Sequence, residues 1–108
     1  GKGEDAIVLG NENSSINTGN GDDIVMIGNG NNSVNTGNGD DTVNVGTGNN
    51  NVSLLNGKDI FIGQGGNNTV NGGNGNDNIN NGNTVLGTAN GGNGPDTCIA
   101  HTKTSCEN

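Results

Sequence analysis

The sequence predicts an all-β fold: a parallel β-solenoid of about six 18-residue coils, two nonapeptide half-turns each, closed by a disulfide at the C-terminus. Three observations carry that expectation. The chain repeats every nine residues without a gap from Gly1 to residue 81. One position in every block is apolar, and a carboxylate returns in every second block. Composition alone points elsewhere. Of 108 residues, 25% are apolar, one is aromatic, 23 are Gly and 26 are Asn, with a formal net charge of −8. Such a chain cannot fill a globular core, and its composition is that of a disordered segment. The periodicity overturns that reading, because a repeat that is too small to bury anything alone can bury a face by stacking. The acidic balance excludes binding to a phosphate backbone, and the short apolar runs exclude a membrane span or a signal h-region.

The blocks read GKGEDAIVL, GNENSSINT, GNGDDIVMI, GNGNNSVNT, GNGDDTVNV, GTGNNNVSL, LNGKDIFIG, QGGNNTVNG and GNGNDNINN. Positions one to five form a turn: Gly supplies positive φ, and Asp or Asn bonds the turn's own amides. Positions six to eight form a short strand whose middle residue points inward. That inward residue is Ile7, Ile16, Val25, Val34, Val43, Val52, Phe61, Val70 and Ile79. Position nine shares its face and carries Leu9, Thr18, Ile27, Thr36, Val45 and Leu54, then Gly63, Gly72 and Asn81. The core is therefore expected to thin toward the C-terminus. The nine in-frame repeats over 1–81 make one unit and 82–108 an irregular final coil and cap. In that second stretch the frame slips by one residue over 82–91 and recovers in GNGPDTCIA. Cys98 and Cys106 lie about half a coil apart, which would put them on facing strands of the last turn, and a disulfide there would pin the end of the coil. A disulfide also implies an oxidising, extracellular setting. Gly1 opens a full block with no cap before it, so either the array continues before it or the first coil pairs with another molecule.

Position five carries the chemistry. In odd blocks it is Asp5, Asp23, Asp41, Asp59 and Asp77, joined by Asp96 in the final coil; in even blocks it is Ser14, Asn32, Asn50 and Asn68. A coil of 18 residues stacks the carboxylates along one edge, about 4.8 Å apart, where they repel unless a cation intervenes. Position four thickens the same edge with Glu4, Asp22 and Asp40. Oxygen-only donors of this kind suit Ca²⁺. The expected metal residues are Asp5, Asp23, Asp41, Asp59, Asp77, Asp22, Asp40 and Asp96. Capping of each turn by its own Asp, with no metal, is the alternative. The uncharged even edge can be held by amide ladders, so one metal row is expected.

Blocks such as GNGDDIVMI, GNGDDTVNV and GNGNDNINN resemble the G-G-x-G-x-D-x-U-x nonapeptides of repeats-in-toxin (RTX) proteins. The C-terminal GGNGPDTCIA, ending in SCEN, is also similar to the tails of secreted bacterial proteins of that type. The resemblance implies a calcium-binding parallel β-roll and a secreted location. The chain departs from that pattern in two ways. The family usually has Asp on both edges, and its first Gly falls at position nine, which is apolar or Thr here in six blocks.

Outward positions differ between the two faces. Even strands show Ser, Asn and Thr, whereas odd strands show Val8, Ile24, Met26, Ile60 and Ile62. That apolar face and the open first coil are the expected surfaces for self-association, with no nucleic acid and no membrane insertion. No enzyme is expected: His101, the one His, lies in the tail, and the repeated acids lack an asymmetric acid, base and nucleophile. The expected function is an extracellular calcium-stabilised structural or adhesive module, extending to a self-assembled filament. The alternative is an ice-binding solenoid that uses Asn11, Asn29 and Thr47 beside Asn13, Asn31, Asn49 and Asn67 on the even edge.

Overall fold

The structure, a computed structural model, describes residues 1–82 and 86–106. Short strands alternate between two sheets. One holds β1 (Ala6–Leu9), β3 (Ile24–Ile27), β5 (Thr42–Val45), β8 (Ile60–Ile62), β10 (Asn78–Asn80) and β12 (Thr97–Ile99), stacked in that order. The other holds β2 (Ser15–Asn20), β4 (Ser33–Asn38), β6 (Asn51–Ser53), β9 (Thr69–Gly75), β11 (Thr88–Asn93) and β13 (Thr102–Thr104), with the two-residue β7 (Asn56–Gly57) bridging β4 and β9. Six rungs on each face make a coil of about five full turns, close to the six expected. Every pairing is parallel, and through the repeats the register is the sequence period: Val25 pairs with Val43, and Val34 with Val52.

The core is a single layer between the sheets. Ile16, Val25, Val34, Val43, Val52, Phe61, Val70 and Ile79 are buried, as position seven requires, and Ile27, Val45 and Leu54 join them from position nine. In the first coil Leu9 is 37% exposed, because no earlier rung covers it. The expected thinning is offset at one place. A Cβ on Gly63 would lie 3.2 Å from a ring carbon of Phe61. The one aromatic therefore covers the space that its position-nine neighbour leaves open.

The period continues past residue 82 with one residue inserted. Thr88 pairs with Thr69 and Thr97 with Asn78, each 19 residues away. Ala89 and Cys98 take the buried position-seven places of that last coil. The Cys98–Cys106 disulfide closes it with a Cα–Cα distance of 5.8 Å. Cys98 lies on β12, but Cys106 lies just past β13 rather than on it, because β13 ends at Thr104.

Candidate metal edge

Odd-block turns bend sharply enough to bring their side chains into file. Gly37 and Gly39 sit at φ 100° and 129°, and a Cβ on either would fall about 2 Å from a carbonyl oxygen of the coil below, at 2.0 and 2.1 Å. Glycine meets both demands without strain. Leu55 takes the corresponding first position in its own turn at φ 77°. It is strained there.

The stacking puts the position-five side chains one above another. Asp23, Asp41, Asp59, Asp77 and Asp96 are each 0–1% exposed, while Asp5 at the open end is half-buried. One carboxylate oxygen of each is used identically. The N–H of Asp5 donates to Oδ1 of Asp23 at 2.7 Å, Asp23 to Asp41 at 2.8 Å, and Asp41 to Asp59 at 2.8 Å. The chain continues from Asp59 to Asp77 at 3.0 Å and from Asp77 to Asp96 at 2.8 Å. The second oxygen, Oδ2, of Asp23, Asp41, Asp59, Asp77 and Asp96 is buried without a hydrogen-bond partner. A buried, unpartnered carboxylate oxygen is costly and calls for a cation or a proton.

The even edge shows the same frame with the problem solved. Ser14 N–H donates to Oδ1 of Asn32 at 2.8 Å, and Asn32 N–H to Oδ1 of Asn50 at 2.9 Å. Here the second side-chain atom is an amide nitrogen. Asn32 Nδ2 donates to Asn50 Oδ1 at 2.9 Å, and Asn50 Nδ2 to Asn68 Oδ1 at 2.8 Å. The two edges therefore differ by one atom type per rung. Where Asn closes a ladder, Asp leaves a buried oxygen without a partner.

Burial shows in the acidities. Asp59 is pushed up to about 7, first by burial, then by the charges of Asp77, Asp41 and Asp40, against the lowering by the Asp41 N–H. Burial also raises Asp41 and Asp77. The environment of the column varies along its length. A Cβ on Gly72 would meet Asp77 Oδ2 at 2.4 Å, so position nine of the preceding strand faces that oxygen. Thr36 stands in this place beside Asp41 and opposes the rise there, while its hydroxyl donates to Leu54 O at 3.1 Å. Leu54 occupies the same position in the sequence before Asp59, which matches the largest of the three shifts.

Position four contributes an outer row. Asp40 N–H donates to Asp22 Oδ1 and Lys58 N–H to Asp40 Oδ1, both at 2.8 Å, and Lys58 puts a cation in place of the acid at the fourth rung. Asp22 and Asp40 are exposed. Among the described residues no three His, Cys, Asp or Glu side chains gather as a metal cluster. An ion on this edge would draw on one or two carboxylates and complete its shell with turn carbonyls and water, the donor set calcium favours. The orphaned Oδ2 atoms fit that ion.

A third ladder went unread in the sequence. Asn38 Nδ2 donates to Asn20 Oδ1, Asn56 to Asn38, Asn74 to Asn56 and Asn93 to Asn74, at 2.7–2.8 Å. Its signal was present, since position two is Asn in every odd block after the first.

A family model described as the RTX calcium-binding nonapeptide repeat (4 copies) matches residues 1–34, 28–52 and 55–83. No curated protein and no solved structure matches the chain.

Proposed function

The chain belongs to the RTX calcium-binding nonapeptide repeat family, whose repeats bind Ca²⁺, and on that premise we propose that it is an extracellular structural or adhesive module stiffened by calcium along one edge only. The residues that would hold the ion are Asp5, Asp23, Asp41, Asp59, Asp77 and Asp96, supplemented by Asp22 and Asp40. The carrying observation is the contrast between edges: five buried Oδ2 atoms without partners on the Asp edge against a closed Asn32–Asn50–Asn68 ladder on the other. Bound calcium would supply the positive charge that this column lacks. The even edge has no such need. The disulfide suits a secreted setting.

The module's contact surface would be the odd sheet. Val8, Ile24, Met26, Ile60 and Ile62 are exposed there, and Ile99 extends the patch onto the last rung. A second copy is the occupant we favour, through this face. Calcium would aid that assembly by offsetting a charge of −8 that makes copies repel.

Titration calorimetry tests the one-edged reading. Asp41→Asn should reduce the calcium heat, whereas Asn50→Ala should leave it intact and cost only ladder bonds. Equal loss in both variants would mean that both edges hold metal.

A second reading rests on the even edge. Asn31, Asn49 and Asn67 each donate a backbone N–H to the Oδ1 of Asn13, Asn31 and Asn49, and Asn29 and Thr47 repeat this to Asn11 and Asn29. These fixed double rows are the kind of regular array an ice lattice could match. A thermal-hysteresis measurement decides it: no hysteresis at high protein concentration removes the ice-binding reading.

A further inference from the structure

We propose that Asn93 is a site of spontaneous deamidation, singled out because it ends the outer asparagine ladder. The inference does not depend on calcium. Each rung of that ladder, Asn20, Asn38, Asn56, Asn74 and Asn93, is followed by glycine. An Asn-Gly step is the most reactive of its kind, since glycine puts no side chain in the way of its own amide nitrogen. In the reaction the Gly94 nitrogen gives its proton to solvent base and bonds to Asn93 Cγ. The Cγ–Nδ2 bond breaks and ammonia leaves with a proton from water. Water then opens the resulting succinimide at either carbonyl, giving aspartate or isoaspartate.

Along the ladder the fold engages both partners of this reaction in hydrogen bonds. Gly3, Gly21 and Gly39 donate their N–H groups to the carbonyls of Asn20, Asn38 and Asn56, at 2.8–2.9 Å. The glycine nitrogen after Asn20 and that after Asn38 are therefore both engaged. Gly57 and Gly75 lie within β7 and β9. The side chains of Asn38, Asn56 and Asn74 are tethered twice, as donor to one neighbour and acceptor from the next. The remaining Asn-Gly steps are also covered. Gly30 and Gly82 donate to Thr47 O and Asn80 Oδ1, while Gly72 and Gly91 are buried.

Asn93 has neither protection. Its side chain donates to Asn74 Oδ1 and accepts nothing among the described residues. Gly94 lies outside β11, and its N–H makes no hydrogen bond among the described residues, where β13 pairs with Thr88–Asn90. Both residues are exposed. Conversion would replace the donor to Asn74 with a carboxylate, or add a methylene to the backbone, three residues before Asp96. The last rung would loosen.

The test is peptide mapping by mass spectrometry, with isoaspartate detection, after incubating the folded disulfide-bonded protein in mildly alkaline buffer beside a sample in urea. In the folded sample Asn93 should convert several-fold faster than Asn20, Asn38, Asn56 and Asn74. In urea the five rates should draw together, the internal rungs gaining most. Equal rates in the folded protein would overturn the proposal. So would a lead of Asn93 that survives in urea, or an Asn93 that stays intact while the urea sample converts.

Discussion

Asp41 illustrates how one atom decides the behaviour of a rung. Its Oδ2 is buried without a partner, where Asn32 in the same frame has an amide nitrogen 2.9 Å from the next acceptor. Asp41→Asn should therefore close the contact to Asp59 and raise the metal-free melting temperature, by about 1 kcal/mol or roughly 4 °C. The same change should shrink the gain that calcium produces. Melting curves in chelator and in calcium give both signs; a drop in chelator would contradict the orphaned-oxygen account. Asp59 makes this pH-dependent. Its folded acidity lies near 7 against an ordinary 3.8, so within that window the folded state keeps a proton that the unfolded chain has lost. Metal-free stability is thus fully present below 3.8 and is lost as pH rises through about 7. With calcium bound the slope should reverse, because protons compete for the carboxylates. Slopes of one sign in both conditions would refute it. Leu55 is a third lever. It stands at φ 77° where equivalent turns use Gly19, Gly37, Gly73 and Gly92. Relieving left-handed strain of about 1–2 kcal/mol outweighs the backbone entropy glycine adds, so Leu55→Gly should gain up to about 1 kcal/mol in a denaturant midpoint.

Individual turns and strands were legible to different degrees. The position-seven series named the buried residue of each rung from Ile16 through Ile79, with Ile7 half-buried on the first, because a two-residue alternation leaves one choice of face. The edge on which the acids stand followed from the 18-residue recurrence alone. What the sequence could not show was the compensation of Gly63 by the Phe61 ring, which depends on a rotamer; the outer Asn ladder was present in the recurrence of Asn at position two, but such side chains read as ordinary turn residues. The final coil looked irregular because one inserted residue breaks a strict count, yet backbone pairing tolerates the insertion and β11 resumes register at 19 residues. Its closure rests on the disulfide, which joins residues eight apart. Reducing it should cost about 2–3 kcal/mol and act locally. Hydrogen exchange should show Thr102–Thr104 losing protection first, with β3 and β5 unchanged. Uniform loss across both sheets would instead make the last coil part of one cooperative unit.

At the scale of the molecule, a coil this thin has few apolar side chains to hold it. Its principal extents are 32 × 29 × 13 Å, room for a single layer between the sheets, and its buried carboxylates oppose stacking. Two features of that whole were foreseeable from charge and period: an acidic edge that needs a counter-charge, and an outward apolar stripe on one sheet. Sedimentation in saturating calcium should show association that Ile24→Lys or Ile60→Lys weakens, since burial of such side chains is worth about 25 cal/mol per Å². A monomer at high concentration would leave that face to a different neighbour. The central claim, that calcium bound to the stacked Asp turns stabilises the native coil, is tested most directly by circular dichroism during a calcium titration, with melting curves in calcium and in chelator. The account predicts a β-signal that grows or sharpens with calcium and a melting temperature that falls markedly on chelation. An identical signal and identical melting in both conditions would contradict it, leaving each Asp as the cap of its own turn.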